Sequence, residues 1–142
     1  MTGRASQSPA EAFANAAEAL EGCRFRLHGR DPERGLDCVG VVLCALRAAG
    51  RTVPHVAGYG LRNADIGRFL TLFDQAGLAP ATEHSQRGDM LIMRPGPGQH
   101  HCLIALGGER FVHAHAGIGR VIVQQGLPGW SLLHRWRLVA SD

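Results

Sequence analysis

Gly35-Leu36-Asp37-Cys38-Val39-Gly40-Val41-Val42-Leu43 is the stretch on which the reading of this chain turns. A turn signal precedes an apolar run of helical spacing, so Cys38 stands at a helix N-terminus. There the unpaired backbone N–H groups and the positive end of the helix dipole favour thiolate over thiol. The helix runs from Cys38 to about Ala49, and Gly50 stops it. Val41, Val42, Ala45, Leu46 and Ala49 follow its period. Gly40 weakens the first turn, a cost usually accepted where another backbone comes close. Asp37, directly before the cysteine, reads as the helix N-cap.

Working outward, Ser8-Pro9-Ala10-Glu11 opens an alanine-rich helix. Ser8 is its N-cap, Pro9 its first residue and Glu11 the closing member of a capping box. This helix should extend to about Glu21 and stop at Gly22. Residues 22–37 read as a loop, and residues 1–7 as disordered. A third helix fits Ala64 to Ala76, with Ile66, Phe69, Leu70 and Phe73 on one face. From Gly88 the period changes to two. Strands are expected over Asp89–Met93, His101–Leu106, Arg110–His115, Arg120–Gln124 and Leu133–Val139, separated by glycine- and proline-rich breaks. Helices followed by an antiparallel meander make an α+β fold, one domain over residues 8–142 with a sheet of five to six strands.

The chain of 142 residues is long enough for one real core. The net charge of +3 comes from scattered arginines, with no basic helix carrying interleaved aromatics, which speaks against nucleic acid as a partner. No apolar run is long enough to cross a bilayer, and the first residues contain no apolar core of a secretory signal. The expectation is synthesis in the cytoplasm and no membrane partner. The cysteines, Cys23, Cys38, Cys44 and Cys102, form no C-x-x-C pair, so free thiols are expected, with Cys44 and Cys102 inert in the core.

A cysteine on a helix and a histidine on a strand are the general plan of a thiol hydrolase. Whether His101 and His113 meet depends on hairpin register. A two-residue Gly107-Gly108 loop puts them on opposite faces. A three-residue Gly107-Gly108-Glu109 loop pairs Leu106 with Arg110 and puts both on one face. The glycines suit the three-residue loop with its bulge. The other register would turn a histidine into the side of the sheet that carries Cys102, Ile104 and Leu106. His100 falls on the opposite face from His101, and His115 rivals His113 as a partner. A zinc site is disfavoured, because His101 and Cys102, as strand neighbours, point apart and no ligand spacing fits.

Four blocks carry a resemblance: Leu36-Asp37-Cys38-Val39-Gly40-Val41-Val42, Arg87-Gly88-Asp89-Met90-Leu91-Ile92, His101-Cys102-Leu103-Ile104-Ala105-Leu106-Gly107 and Arg110-Phe111-Val112-His113-Ala114. In order and spacing they resemble the NlpC family of papain-like cell-wall cysteine peptidases. The resemblance implies hydrolysis of peptidoglycan stem peptides between γ-D-glutamate and a diamino acid. It makes Cys38 the nucleophile, His101 the general base and acid, and His113 the residue that orients His101, with no cofactor and no metal. Two positions depart from the family pattern. Val39 stands where a serine usually follows the cysteine, and Phe25 where a loop tyrosine is usual. With Asp37, Phe25 is the expected substrate-binding position. The C-terminal part, through Arg120-Val121-Ile122-Val123 to Trp136, is most similar to the phage-type branch. That implies an enzyme carried on a phage tail or gene-transfer particle, with tail proteins as possible partners. Two alternatives remain from other classes: a structural tail or hub component with a vestigial site, or an amidase or acyltransferase using the same thiolate.

Overall fold

Ser8 starts the first helix as its sequence directs: its hydroxyl oxygen accepts the Glu11 N–H at 3.1 Å. The computed structural model describes residues 7–53, 71, 73–81, 84–97 and 99–139. Helix α1 spans Pro9–Glu18 and buries Phe13, Ala14 and Ala17. It ends before Gly22 because Leu20 and Glu21 already close tighter turns onto Ala17 and Glu18. Glu11 does not return to cap the helix. Its carboxylate takes the Arg87 Nε–H at 2.9 Å. Arg87 also donates to Asn15 and, at 2.9 Å, to the Leu106 carbonyl. One guanidinium thus ties α1 to the sheet.

Helix α2, Cys38–Ala48, is the central element, with Cys38 through Leu43 all buried. The reason for Gly40 is visible. A Cβ there would lie 2.1 Å from the Gly29 carbonyl oxygen. The loop before α2 therefore packs backbone to backbone on the first helical turn. That loop holds a two-stranded ladder not expected from sequence, β1 (Arg30–Asp31) with β2 (Gly35–Leu36).

The main sheet contains β3 (Leu78–Pro80), β4 (Asp89–Arg94), β5 (His101–Gly107), β6 (Arg110–His115), β7 (Arg120–Gln125) and β8 (Ser131–Leu138). Its order is β3-β8-β4-β5-β6-β7, and every neighbouring pair is antiparallel. The α+β expectation with five to six strands holds. The short β3 is an addition, fixed by its pairing with the end of β8.

Strand alternation divides the two faces. Met90, Ile92, Cys102, Ile104, Leu106, Val112 and Ala114 join the helices in the main core. Leu91, Met93, Leu103, Ala105 and Phe111 form a smaller cluster on the other face, against Trp130. The expected third helix lies mostly outside the described residues. Within it, residues 71 and 73–75 are helical, and Phe73 packs edge-on against Trp136 at 5.5 Å between ring centroids. The expected disorder of residues 1–7 likewise falls, save for Gln7, outside them.

The β5–β6 register comes out as expected, by a different route. Ile104 pairs with Val112 and Ala105 with Phe111, but Gly107 pairs with Arg110. Leu106 is the extra residue of a bulge, and the loop has two residues, Gly108 and Glu109. Both have positive φ, 62° and 58°, as a type I′ turn requires. Sequence reasoning placed the irregularity in the loop, whereas it sits in the strand.

Candidate active site

Helix α2 points its N-terminus at the start of β5, so Cys38 meets His101 and Cys102. Cys38 is 2% exposed. Its thiol is held well below the ordinary value of 9.0, first by the Cys102 thiol donating to it. Burial opposes this, and the hydrogen bond and charge of His101 add to it. Cys102 is pushed the other way, well above 9.0, because it faces the sulfur that carries the charge. Of the two hydrogen-bonded thiols, Cys38, on which His101 also acts, is the more acidic, and Cys102 is the one that donates. Cys102 is therefore not the inert core cysteine that alternation suggests. Cys44 is a half-buried thiol that donates to the Arg30 carbonyl at 3.2 Å.

His101 and His113 share the face opposite the helices. Nε2 of His101 lies 2.8 Å from Nδ1 of His113. This leaves Nδ1 of His101 as the nitrogen available to Cys38. His113 is 1% exposed, and burial lowers it from the ordinary 6.5 to about 4. Its other nitrogen, Nε2, meets the Gln124 Oε1 at 2.9 Å. Gln124 is reached because β7 pairs Phe111 with Gln124 and His113 with Ile122, which sets Gln124 diagonal to His113. His115 lies 5.9 Å from the His113 ring and donates nothing to it; its own Nδ1 accepts the Ile118 N–H at 3.0 Å. Between the rivals, the structure puts His113 against His101.

Trp130 closes one side. It stands edge-on to His101 at 5.4 Å and to His113 at 6.5 Å. It precedes β8, where Met93 pairs with Leu132, and Met93 in turn pairs with His101. The indole therefore crosses β4 to reach the histidines. Neither Gln124 nor Trp130 was singled out by sequence reasoning, and only the strand order of the sheet reveals them.

Of the two readings of Asp37, the structure shows the cap. The carboxylate is fully buried. Oδ1 accepts the Gly40 N–H at 2.8 Å and the Arg30 Nη1–H at 3.2 Å, and Oδ2 accepts the His28 N–H at 2.8 Å. Phe25 is half-buried against the main core, bridged to Leu36, with its N–H on the Gly119 carbonyl at 2.9 Å. This places it in the loop that leads to Cys38.

The sequence profile of the NlpC/P60 family matches residues 22–131. The chain belongs to the NlpC/P60 family. Among relatives, it is 27% identical over 110 residues to the murein DD-endopeptidase MepS/murein LD-carboxypeptidase of Escherichia coli K12, covering 78% of this chain and 52% of that protein. The chain thus spans about half the length of this curated relative. Solved NlpC/P60 structures share its fold. NlpC1 from Trichomonas vaginalis aligns with a TM-score of 0.72 at 18% identity, over 98% of this chain and 47% of that one. RipD from Mycobacterium tuberculosis, described as a non-catalytic NlpC/p60 domain protein adapted to peptidoglycan binding, aligns at 0.63 with 16% identity, over 95% and 100%. Family membership alone therefore does not decide between cleavage and binding.

Proposed function

We propose that this NlpC/P60 domain is a thiol peptidase that hydrolyses an amide of peptidoglycan stem peptides, at the bond between γ-D-glutamate and a diamino acid. The observation that carries the proposal is the unbroken series Cys38, His101, His113. Its first member is an acidified thiol and its last a neutral imidazole 2.8 Å from the second. Cys38 thiolate attacks the amide carbonyl carbon and the oxygen takes the charge. Backbone N–H groups at the start of α2, that of Cys38 included, are placed to receive it. His101 gives its proton to the leaving amine as the C–N bond breaks. It then takes a proton from water as the resulting hydroxide attacks the thioester carbon and the C–S bond breaks, which frees a carboxylic acid and restores the Cys38 thiolate beside the protonated His101. His113 accepts from His101 throughout and holds the ring in place. Val39 and Phe25 bring no hydroxyl, so side-chain oxyanion help from these two positions is not part of the scheme.

Binding without cleavage is the second reading, favoured by the near-complete burial of Cys38 and by the missing hydroxyls. Incubating the protein and its Cys38→Ala variant with muropeptides, with products read by mass spectrometry, decides between them. Cleavage by the first and not the second supports the peptidase. Intact muropeptides in both samples would sink it, and retention of the protein on insoluble peptidoglycan would then support a binding domain. The C-terminal residue pattern from Phe111 to Trp136 supports delivery to the wall on a phage-like particle. Mass spectrometry of purified particles tests that part by the presence or absence of this chain.

A further inference from the structure

The hydrogen-bond series does not stop at His113. We propose that Gln124 is a positioning residue that fixes which nitrogen of His113 carries the proton, and thereby keeps His101 able to act on Cys38. The proposal deepens the peptidase reading and takes its purpose from it, but its test does not need peptidoglycan.

The argument is one of donors and acceptors. His113 is buried and neutral, so it has one N–H and one lone pair. The Gln124 Oε1, at 2.9 Å, can only accept, so the proton belongs on Nε2. The lone pair is then on Nδ1, 2.8 Å from Nε2 of His101, which must donate. With its proton on Nε2, a neutral His101 has a free lone pair on Nδ1, the nitrogen left for Cys38. Reversing the His113 tautomer puts two N–H groups face to face. His101 could relieve that only by moving its own proton to Nδ1, where it blocks uptake from the thiol. A neutral amide on β7, two strands over from β5, with its oxygen turned toward His113 thus favours the tautomer that keeps the working base competent.

The surroundings leave this choice to Gln124. Among the described residues, the titratable groups near His113 are His101 on β5, His115 on its own strand and, beyond His101, the Cys38 thiol. On β7, Arg120 sits opposite His115. Met93 of β4 and Trp130 before β8 carry no titrating group. Among the described residues no carboxylate acts on the titration of His113. Burial depresses it, and the Gln124 hydrogen bond pulls it partly back.

The test compares Gln124→Leu and Gln124→Glu with the unchanged protein. The tautomer and titration of His113 are read by long-range imidazole proton–nitrogen NMR, and the reactivity of Cys38 by iodoacetamide alkylation against pH. The unchanged protein should show His113 neutral, protonated on Nε2, and titrating near 4. Gln124→Leu should lose the Nε2 preference, titrate lower, and slow alkylation at neutral pH by roughly tenfold, the low end for loss of an outer partner of a working histidine. Gln124→Glu should raise the titration of His113 by about one to three pH units, as an adjacent carboxylate does. The acid limb of the alkylation profile should move up with it. Gln125→Leu, one residue along and bonded to the Gly108 carbonyl, should change neither readout. Folded variants with an unaltered His113 tautomer and titration, or with an unaltered alkylation profile, would overturn the proposal. Failure of the unchanged protein to cleave muropeptides would sink the peptidase reading and leave these measurements standing.

Discussion

Nε2 of His101 and Nδ1 of His113 lie 2.8 Å apart, with the two ring planes at 88°. Crossed rings let one nitrogen lone pair point along one N–H, and fix the rotation of His101 about its side-chain axis. Replacing His113 by alanine should keep Cys38 acidified by Cys102 but leave His101 free to turn. We expect muropeptide turnover to fall about 10–100-fold, the size of loss seen when the hydrogen-bond partner orienting a metal-bound histidine is removed. Steady-state kinetics should show the loss in kcat more than in KM. An unchanged kcat would remove His113 from the mechanism.

The same histidine links stability to pH. Burial holds it neutral in the folded chain down to about 4, against an ordinary value of 6.5. As pH falls, the unfolded chain binds the proton first, so unfolding is favoured progressively below 6.5. The contribution is fully present above 6.5 and is lost as pH passes through about 4. Urea midpoints measured across this window should decline with acid, and His113→Asn should flatten part of that decline.

Trp130 supplies part of that burial from one side. Trp130→Ala should admit water to the histidine pair and move the His113 titration up from about 4 toward 6.5. Trp130→Phe should preserve most of the effect, since a smaller ring can still stand edge-on. The NMR titration that reads His113 checks both.

Asp37 holds the N-terminus of α2 and the preceding loop at once. Asp37→Ala removes the cap and takes the carboxylate from Arg30, whose side chain is 17% exposed. Breaking a largely buried pair on one side costs about 3 kcal/mol or more. Asp37→Asn keeps an acceptor for the Gly40 N–H and should lose less. Denaturant unfolding distinguishes the two.

Much of the fold was open to sequence reading, and the reasons differ by region. From Gly88 onward alternation is strong because each long strand has one face in the main core, so the strands announced themselves. Strands β1, β2 and β3 are two or three residues long and show no period; their partners, not their residues, create them. Cys38, His101 and His113 stood out because cysteine and histidine carry chemistry wherever they meet. Gln124 was only the last residue of an expected strand, and Trp130 drew no reading at all. Both reach the site across neighbouring strands, and strand order is not written in local pattern. The role of Cys102 was hidden for a similar reason. Alternation correctly buries it, but only the approach of α2 to β5 brings its thiol to Cys38.

Gly40 was legible as a close-approach glycine, and it yields a sharp prediction. Alanine in a helix normally gains about 1 kcal/mol over glycine. At position 40 the added carbon would lie 2.1 Å from a backbone oxygen that cannot move alone. Gly40→Ala should therefore lower the melting temperature markedly or yield insoluble protein. Gly129→Ala, with nothing within 4 Å of its added carbon, should be nearly neutral.

The bulge at Leu106 has a practical side. It separates the pairing that seats the histidines, Ile104 with Val112 and Ala105 with Phe111, from the pairing that forms the hairpin tip. Gly108 and Glu109 are exposed and lie at the opposite end of β5 from His101. A tether, dye or affinity handle inserted between them has its strain absorbed by an already irregular pair. The tip is thus an attachment point for immobilising the domain on a surface while the histidine pair keeps its spacing.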